Sequence, residues 1–571
     1  MTNRPAALGD SSVGGRRRCL MALVAVLLLV FVRGPARAAL GTHGMVAADH
    51  ELASAAGVEI LRRGGNAVDA AAATAFAVGV VNPASCGIGG GGFLLAYFPA
   101  TGRAVALDYR ERAPAAATRD MFVRDGKAVP QLSRVDGLAV AVPGEVAGLA
   151  DAVRRYGRLP LATVLEPAIR LARDGFPIGR HLAEEIRENR EAIQGHPAMA
   201  AIFLHADGSP RPEGERLRRP ALARTLETIA TEGPRAFYHG AVAADVVAAT
   251  QAAGGILTLD DLARYRPKER RPVRGRFHGR TVLSMPPPSS GGGVLLEILH
   301  IIDRDDLAAL GPNSPTTLHL LTEAMKHAFA DRAAFYGDPD FVHVPLLRLL
   351  SPGYASAMRD SISAATTFGR DFYGAHAAAP DSGTSHLSVI DADGNAVSCT
   401  TTINTTFGSM VVAPRSGVIL NNEMDDFAAQ PGVPNVFGLI GAEANAVAAD
   451  KRPLSSMAPT IVLDHGRPEL IVGASGGPVI ITATLQTLLN AIVFGHDAAG
   501  AVAAPRIHHQ WVPDVLAVEP GIAPLTREAL ARLGHRLREV PELAAVQAIL
   551  VTPAGYDGAS DPRKGGEAVG W

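Results

Sequence analysis

The feature that most constrains the fold is a sharp change of pattern at Thr384. Residues 354–383 are small and polar, which predicts an exposed linker. The next residues alternate as in a half-buried strand over 385–390, and a strong turn signal follows at 391–395. A second, β-branched strand pattern then covers 396–403. The sequence therefore predicts a β-hairpin that begins immediately after a linker.

The hairpin gives Thr384 an unusual chemical option. Its predicted register places Thr384 opposite Thr401 or Thr402, with Asn404 just beyond. The Thr384 hydroxyl can attack the Gly383 carbonyl, shift the acyl chain to oxygen, and let water cleave the ester. The pKa of the freed α-amine is about 7.7–8.0, so the amine can serve as general base for the hydroxyl of the same residue. The pattern predicts a self-activated nucleophile, and the alternative is an ordinary strand residue.

Three segments downstream of the hairpin carry groups that suit catalysis. Residues 421–426 concentrate amides and carboxylates, and Ser455 and Ser456 form a hydroxyl pair before a predicted strand. Gly476 and Gly477 lie between a strand pattern and a helix pattern, where their N–H groups are suited to holding an oxyanion. Turn formation, helix capping and close packing are the alternative interpretations of these segments.

Length and composition exclude some classes of protein. At 571 residues the chain exceeds the size of one hydrophobic core, so several core regions are expected. Apolar residues make up 47 % and charged residues 19 %, which is typical of a globular protein. The formal net charge is −2, and the sequence contains no basic stripe. Nucleic-acid binding is therefore not expected.

The first 38 residues have the pattern of a signal peptide. Three arginines at 16–18 precede an apolar run at 20–32, which is too short to span a bilayer comfortably. A small-x-small cleavage pattern follows at 36–38, so the mature chain is expected to start near Ala39. An uncleaved membrane anchor is the alternative. The sequence thus predicts an exported protein, periplasmic or secreted, with no stable membrane span after cleavage.

The cysteines and histidines indicate no cofactor. Cys86 and Cys399 remain after removal of the signal peptide, and export permits a disulfide between them without establishing one. Cys399 lies in a strand pattern, which favours a buried inert thiol. His508 and His509 are adjacent and would point to opposite faces of a strand, so a shared metal is not expected. We predict neither a metal nor a cofactor.

With these segments in view, the chain closely resembles the γ-glutamyltransferase family of N-terminal-nucleophile hydrolases. The similarity extends over nearly the whole mature chain and keeps the family's order of motifs. The motifs are GNAVDA at 65–70, GIGGGGF at 87–93, DYRE at 108–111, PPPSSGG at 286–292, NTTFG at 404–408, NNEMDDF at 421–427, LSSM at 454–457 and GG at 476–477.

The resemblance implies roles in cleavage and catalysis. Cleavage is implied between Gly383 and Thr384, which makes Thr384 the nucleophile of both processing and turnover. Thr402 is implied to assist as a neighbouring hydroxyl. The backbone amides of Gly476 and Gly477 are implied to form the oxyanion hole.

The resemblance also implies a clamp for the γ-glutamyl group. Arg110, with Ser455 and Ser456, is implied to bind its α-carboxylate. Its α-ammonium is implied to meet three side chains that can accept hydrogen bonds: Asn404, Glu423 and Asp426. These residue types suit those charges, since an arginine fork matches a carboxylate and carboxylates match an ammonium.

The fold implied by the resemblance is α+β, a four-layer αββα sandwich built jointly by two autoproteolytic fragments. The expected division is 1–38 for the signal peptide, 39–383 for a large subunit and 384–571 for a small catalytic subunit. The two fragments are expected to form a heterodimer. The implied activity is that of a γ-glutamyltransferase and glutathione hydrolase. Glutathione and related γ-glutamyl compounds would be donors, and water, amino acids or dipeptides would be acceptors.

Two departures and two alternatives accompany this expectation. Gly383, the residue before the implied nucleophile, departs from the pattern of the bacterial relatives. The family's lid loop is kept at 431–437, but it carries Phe437 where bacterial relatives commonly have an aromatic hydroxyl. Lid closure, and with it the shielding of the acyl-enzyme from water, is expected to be weaker. A glutaryl- or cephalosporin-type acylase of the same fold is one alternative. A non-catalytic periplasmic binding protein that never matures is the other.

Overall fold

Two seven-stranded antiparallel sheets lie face to face and carry helices on their outer surfaces. The arrangement is that of a computed structural model, which describes residues 38–373 and 384–571. Gly383 and residues 1–37 of the predicted signal peptide therefore lie outside the described residues. The helix, sheet, sheet, helix order confirms the expected α+β four-layer sandwich.

The strands are numbered β1 to β23 along the chain, and most belong to the two large sheets. The first sheet contains, in spatial order, β1 (Ala38–Gly41), β22 (Gly555–Ser560), β21 (Ala545–Thr552), β17 (Arg467–Ser475), β16 (Thr460–Asp464), β11 (Arg280–Ser284) and β10 (Val273–Phe277). The second contains β23 (Glu567–Gly570), β2 (Met45–Ala48), β12 (Ser385–Ile390), β13 (Ala396–Thr402), β3 (Gly91–Phe98), β4 (Arg103–Tyr109) and β9 (Lys268–Arg270). Smaller sheets pair β5 (Val123–Arg124) with β6 (Lys127–Ala128), β7 (Phe176–Pro177) with β8 (Arg216–Leu217), β14 (Val412–Ala413) with β15 (Val418–Ile419), and join β18 (Ile507–His508), β19 (Leu516–Val518) and β20 (Leu537–Glu539).

The helices form the two outer layers. One set lies on the side of the second sheet, where α1, α2 and α4 contact the sheet and the others pack around them: α1 (Glu51–Arg62), α2 (Ala67–Val81), α3 (Gln131–Arg134), α4 (Glu145–Tyr156), α5 (Leu161–Asp174), α6 (Arg180–Glu188), α7 (Arg190–Gly195), α8 (Pro197–Phe203), α9 (Pro220–Glu232), α10 (Arg235–Tyr238), α11 (Gly240–Ala252) and α12 (Leu259–Arg264). The other set packs around the first sheet: α13 (Gly291–Ile302), α14 (Leu307–Leu310), α15 (Pro315–Phe335), α16 (Leu346–Leu349), α17 (Pro352–Ser361), α18 (Val479–Ile492), α19 (Ala498–Ala503) and α20 (Pro524–Arg532).

Helix α2 shows how local sequence and packing cooperate. The side chain of its N-cap, Asn66, accepts hydrogen bonds from the backbone N–H groups of Val68 and Asp69, and the Asp69 carboxylate accepts one from the Asn66 N–H, which completes a capping box. Apolar residues surround the helix and all of it is buried, as expected for a central core helix. Within residues 38–373 and 384–571, no helix is both long and apolar enough to cross a membrane.

Strands from both sides of Thr384 are interleaved in both large sheets. In the second sheet, β12 and β13 lie between β2 and β3, which come from the first part of the chain. In the first sheet, β16 pairs with β11 and β22 pairs with β1 in the same way. A cleavage before Thr384 would therefore leave two fragments held together by continuous backbone ladders and a shared core.

The prediction of an exposed linker over residues 354–383 is wrong for its first part. Helix α17 continues to Ser361, because Ser351 caps it through the Tyr354 N–H and Pro352 occupies its first turn. The helix packs on α13, which composition alone could not indicate. Residues 374–383 lie outside the described residues.

The two cysteines are free buried thiols, so the disulfide that export would permit is not formed. Burial raises the pKa of the Cys86 thiol to about 12, and a hydrogen bond with Ser385 opposes this shift only weakly. Cys399 contacts the Tyr109 hydroxyl at 3.1 Å, and burial raises the pKa of its thiol as well. Both are protonated at physiological pH and behave as small apolar side chains.

Candidate active site

One cleft gathers nearly all of the predicted site residues. It lies at the open end of the β12–β13 hairpin. Every predicted residue among the described ones lines it, except Gly476, which is the chain neighbour of the lining residue Gly477. Met457 and Ile480 complete its wall. Segments far apart in sequence thus converge on one cleft.

The hairpin brings the Thr384 and Thr402 hydroxyls together. Ser385 pairs with Thr401, so Thr384 lies one position further out, opposite Thr402. The two Oγ1 atoms are 3.2 Å apart. The Asn404 N–H donates to the Thr402 oxygen at 2.8 Å, which fixes the second hydroxyl in place. Of the two register partners that the sequence left open, the structure selects Thr402.

Lys564 contacts the backbone of Thr384, and sequence reasoning missed it. Its ammonium donates to the Thr384 carbonyl oxygen and lies 3.3 Å from the Ser475 hydroxyl. It also forms a 2.8 Å ion pair with the buried Asp49. Because Lys564 follows β22 and Thr384 opens β12, no local sequence signal connects them. The contact fixes the position of the predicted nucleophile.

Arg110 lies at the centre of a buried ionic cluster. Its guanidinium donates one hydrogen bond to Glu423 and another to Asp426, and its Nε donates to the Pro453 carbonyl at 3.2 Å. Glu111 lies 3.7 Å away. The predicted carboxylate-binding and ammonium-binding side chains are therefore immediate neighbours. A zwitterionic group entering the cleft would meet both signs of charge at once.

Burial governs the protonation of this cluster. It raises the pKa of Glu423 well above its ordinary value and that of Asp426 to about 6, while Arg110 opposes both shifts. Burial likewise raises the pKa of Glu111 to about 7 against the effect of Arg110. One guanidinium cannot balance three buried carboxylates, so the cluster retains a proton near neutral pH. An incoming ammonium would favour the fully ionised form.

Asn404 presents an acceptor to the same cleft. Its backbone has a positive φ of 78°, a left-handed conformation that asparagine tolerates better than most residues. Its side-chain amide donates to the Asn422 carbonyl at 3.0 Å. With the NH₂ group so oriented, the carbonyl oxygen of the amide is the group that can receive an ammonium proton.

The two serines are arranged to donate rather than accept. The Ser455 oxygen already accepts from the Met457 N–H at 3.1 Å. The Ser456 oxygen accepts from the guanidinium of Arg332 at 3.3 Å. Each hydroxyl proton can then point to an anion in the cleft, since a hydroxyl has one O–H and two lone pairs.

The turn after β17 has the backbone freedom of glycine. Gly476 and Gly477 both have positive φ, 132° and 56°. A Cβ on Gly476 would lie 2.9 Å from the Cα of Ala544, so a side chain does not fit. Helix α18 begins two residues later, and its N-terminus adds a favourable field for negative charge.

Hydrogen bonds to Asp425 and Asp426 hold the lid loop over the cleft. The Asn435 amide donates to Asp426 at 3.2 Å, and the backbone N–H of Val436 donates to Asp425 at 2.7 Å. Phe437 is buried and lines the cleft, and its carbonyl accepts from Gln510 at 3.2 Å. Closure of the loop thus uses Asn435 and the backbone instead of an aromatic hydroxyl. Sequence analysis identified the loop but not Asn435.

A cluster with metal-ligand residue types lies outside the cleft. The candidate ligand atoms of His319, Glu323 and His535 all lie within 4.8 Å of one another. The histidine nitrogens contact each other at 2.7 Å, and Glu323 accepts from Thr367. Lys326 lies 3.3 Å from Glu323, and its charge disfavours a cation there. Protein partners therefore already satisfy these groups.

Comparison with known proteins gives a consistent family match. The sequence model of the gamma-glutamyltranspeptidase family matches residues 53–571. The glutathione hydrolase proenzyme of Escherichia coli (strain K12) is 45 % identical over 525 residues, which covers 91 % of this chain and 90 % of that protein.

Two solved structures share the fold. Cephalosporin acylase from Bacillus halodurans superposes with a TM-score of 0.83 at 30 % identity, covering 94 % of this chain and 97 % of that one. Gamma-glutamyltranspeptidase of Helicobacter pylori has a TM-score of 0.55 at 42 % identity. It covers 56 % of this chain and 91 % of its own, so the length of the matched chain limits that score.

Proposed function

Because this chain belongs to the gamma-glutamyltranspeptidase family, we propose that it is a glutathione hydrolase and γ-glutamyltransferase whose nucleophile is Thr384. The observation that carries the assignment of the site is the 3.2 Å approach of the Thr384 and Thr402 hydroxyls in a cleft that also contains Arg110, Glu423 and Asp426. No metal or cofactor enters the proposed reaction.

Maturation is proposed to precede turnover. The Thr384 hydroxyl attacks the Gly383 carbonyl, the acyl group moves from nitrogen to oxygen, and water hydrolyses the ester. The products are a Gly383 carboxylate and a free Thr384 amine, which divide the chain into fragments 39–383 and 384–571. The interleaved sheets support a stable heterodimer after this step. Strand β1 begins at Ala38, so signal cleavage would leave the new N-terminus at a sheet edge.

Turnover is proposed to follow a two-step exchange. The Thr384 amine takes the proton of its own hydroxyl as Oγ1 attacks the γ-carbonyl of the donor. The N–H groups of Gly476 and Gly477 stabilise the oxyanion, and the donor amine leaves with the proton. Water, or the amine of an amino acid or dipeptide, then attacks the ester and releases Thr384.

Recognition of the donor is proposed to exchange one set of ion pairs for another. In the structure Arg110 is paired with Glu423 and Asp426. The donor's α-carboxylate would pair with Arg110 and its α-ammonium with the two acids, assisted by Asn404. Holding both charges fixes the γ-carbonyl against Thr384, and such orientation supplies a large part of the rate gain.

Two substrates test the proposal against the acylase alternative, which the cephalosporin acylase neighbour keeps open. γ-Glutamyl-p-nitroanilide carries the α-ammonium, whereas glutaryl-p-nitroanilide lacks it. We expect kcat/KM to favour the γ-glutamyl substrate by at least about 100-fold, because an unpaired acidic pocket costs several kcal/mol. Preference for the glutaryl substrate would establish an acylase. An uncleaved protein that binds glutamate without turnover would instead establish a binding protein.

Replacing Phe437 by tyrosine is expected to lower the ratio of hydrolysis to transfer by about 2- to 5-fold, the effect of roughly one added hydrogen bond. A tighter lid would shield the acyl-enzyme from water while an acceptor amine is present. Product analysis with glutathione and glycylglycine measures the ratio. The matched variant Asn435→Ala, which removes the contact to Asp426, should raise it. An unchanged ratio in Phe437→Tyr contradicts the proposed lid effect.

Replacing Lys564 by methionine is expected to lower kcat by about 10-fold and to move the acidic limb of the pH–rate profile upward. The ammonium beside the Thr384 carbonyl disfavours protonation of the nearby Thr384 amine, so its removal should raise the pKa of that amine. A tenfold loss corresponds to about 1.4 kcal/mol of transition-state stabilisation. Lys564→Arg keeps the charge and should keep the profile. A profile that does not move in Lys564→Met would show that the contact is only structural.

A further inference from the structure

Arg332 is a buried cation beside the cleft, and among the described residues no carboxylate contacts it. It lies in the last turn of α15 and is 4 % exposed. Across residues 38–373 and 384–571, no acidic oxygen lies within 4.0 Å of its guanidinium, and its hydrogen bonds go to the hydroxyls of Ser290 and Ser456. Burial lowers the pKa of Arg332 to about 10, with Asp426 opposing. It therefore remains charged at neutral pH, although burying a charge without a partner is costly.

The donor character of arginine sets the direction of the surrounding hydrogen bonds. Arg332 has only N–H groups, so Ser290 and Ser456 must both accept from it. The Ser290 hydroxyl donates its own hydrogen bond to the Ser455 carbonyl oxygen at 2.7 Å. Ser456 lines the cleft, so its proton can be donated there. Arg332 thereby holds Ser456 as a donor and fixes the backbone that carries Ser455.

The charges around the cleft support the same conclusion. Arg110 and Arg332 lie beside the cleft, Glu423 and Asp426 line it, and the buried Glu111 lies 3.7 Å from Arg110. A γ-glutamyl group adds one negative and one positive charge. Because Arg332 supplies a second positive charge near Asp426, Arg110 can exchange its acidic partners for the substrate carboxylate.

We propose that Arg332 is a positioning residue for the α-carboxylate of the donor, acting through Ser456 and through its charge. The inference rests on the proposed γ-glutamyl site and extends it to a residue that need not touch the substrate. Recognition of the carboxylate then depends on two arginines: Arg110, which would contact it, and Arg332, which donates a hydrogen bond to Ser456.

The test compares Arg332→Met and Arg332→Lys with the parent on two substrates. γ-Glutamyl-p-nitroanilide has the α-carboxylate, and 4-aminobutyryl-p-nitroanilide lacks it but keeps the ammonium. In Arg332→Met we expect KM for the first to rise by about 10- to 100-fold with kcat changed less than about 3-fold. KM for the second should change by less than about 3-fold. Arg332→Lys should restore part of the preference for the first substrate.

Arg219→Met is a matched control. Arg219 is also buried and has a pKa lowered by burial to about 10, but it donates to backbone carbonyls away from the cleft. This variant should lose stability without changing the substrate preference. If Arg332→Met does not fold, the KM ratio in Arg332→Lys and in Ser456→Ala decides.

The outcomes separate this inference from the proposed function. Equal losses on both substrates, or an unchanged preference, would overturn the positioning role of Arg332. A parent enzyme without preference for the substrate that carries the carboxylate would overturn the γ-glutamyl site itself, and the inference with it.

Discussion

Replacing Thr384 by alanine is expected to leave one uncleaved chain without measurable turnover. The variant lacks the hydroxyl that we propose attacks Gly383 and the donor, so maturation and catalysis should fail together. Loss of a nucleophile lowers kcat by about 10⁴-fold or more in enzymes with covalent intermediates. Denaturing electrophoresis with intact mass measures cleavage, and p-nitroaniline release from γ-glutamyl-p-nitroanilide measures turnover.

Thr384→Ser is the matched control for this prediction. It keeps a hydroxyl at the same position, so it should still cleave, although more slowly, and should retain part of the activity. N-terminal sequencing of the smaller fragment should begin at residue 384 in both the parent and this variant. A Thr384→Ala protein that is cleaved and active would show that another residue is the nucleophile.

Replacing Arg110 by methionine is expected to lower kcat/KM for γ-glutamyl-p-nitroanilide by about 10³-fold, since removing one partner of a buried charge pair costs several kcal/mol. The variant should also be less stable by about 3–5 kcal/mol at pH 8, because Glu111, Glu423 and Asp426 remain buried without their cation. Kinetics with the two p-nitroanilides and thermal unfolding measure these losses.

The pH dependence of that loss has a definite sign. The pKa of Asp426 is already raised by burial to about 6 against the effect of Arg110, and removal of Arg110 would raise it further. A carboxyl with a raised pKa binds more protons in the folded state, so stability falls as pH rises from its ordinary value near 3.8 through the folded value. The destabilisation of Arg110→Met should therefore be smaller at pH 5 than at pH 8. Equal losses at both values would contradict this account.

The double variant Arg110→Met/Glu423→Gln controls for packing. Neutralising Glu423 removes one uncompensated carboxyl, so it should recover stability at pH 8 without recovering activity. Additive losses of stability would mean that the two side chains do not share the ionic cluster seen in the structure.

Local patterns were sufficient for the centre of the site. Period-2 alternation and the turn at 391–395 predict the register of β12 and β13 to within one residue, and the structure selects Thr402 over Thr401 as the partner of Thr384. The capping of α2 by Asn66 is likewise a local feature. These features depend on neighbours within a few residues, which a sequence displays directly.

Local patterns failed where a segment's state depends on distant contacts. Residues 354–361 are small and polar, yet they continue a capped helix that packs on α13. The composition of this segment indicates that it is polar, but it does not indicate that the segment packs against α13. A prediction based on composition therefore favoured a linker.

The sequence by itself determined the hairpin and, through family resemblance, predicted Thr384 as its nucleophile and the residues of the γ-glutamyl clamp. Only the tertiary structure decided what surrounds them. Lys564 reaches Thr384 across 180 positions and Arg332 reaches Ser456 across 124. Such contacts arise when two sheets and their helices stack. The periodicity of a sequence depends only on nearby residues, so it cannot predict which distant side chains the stacking brings together.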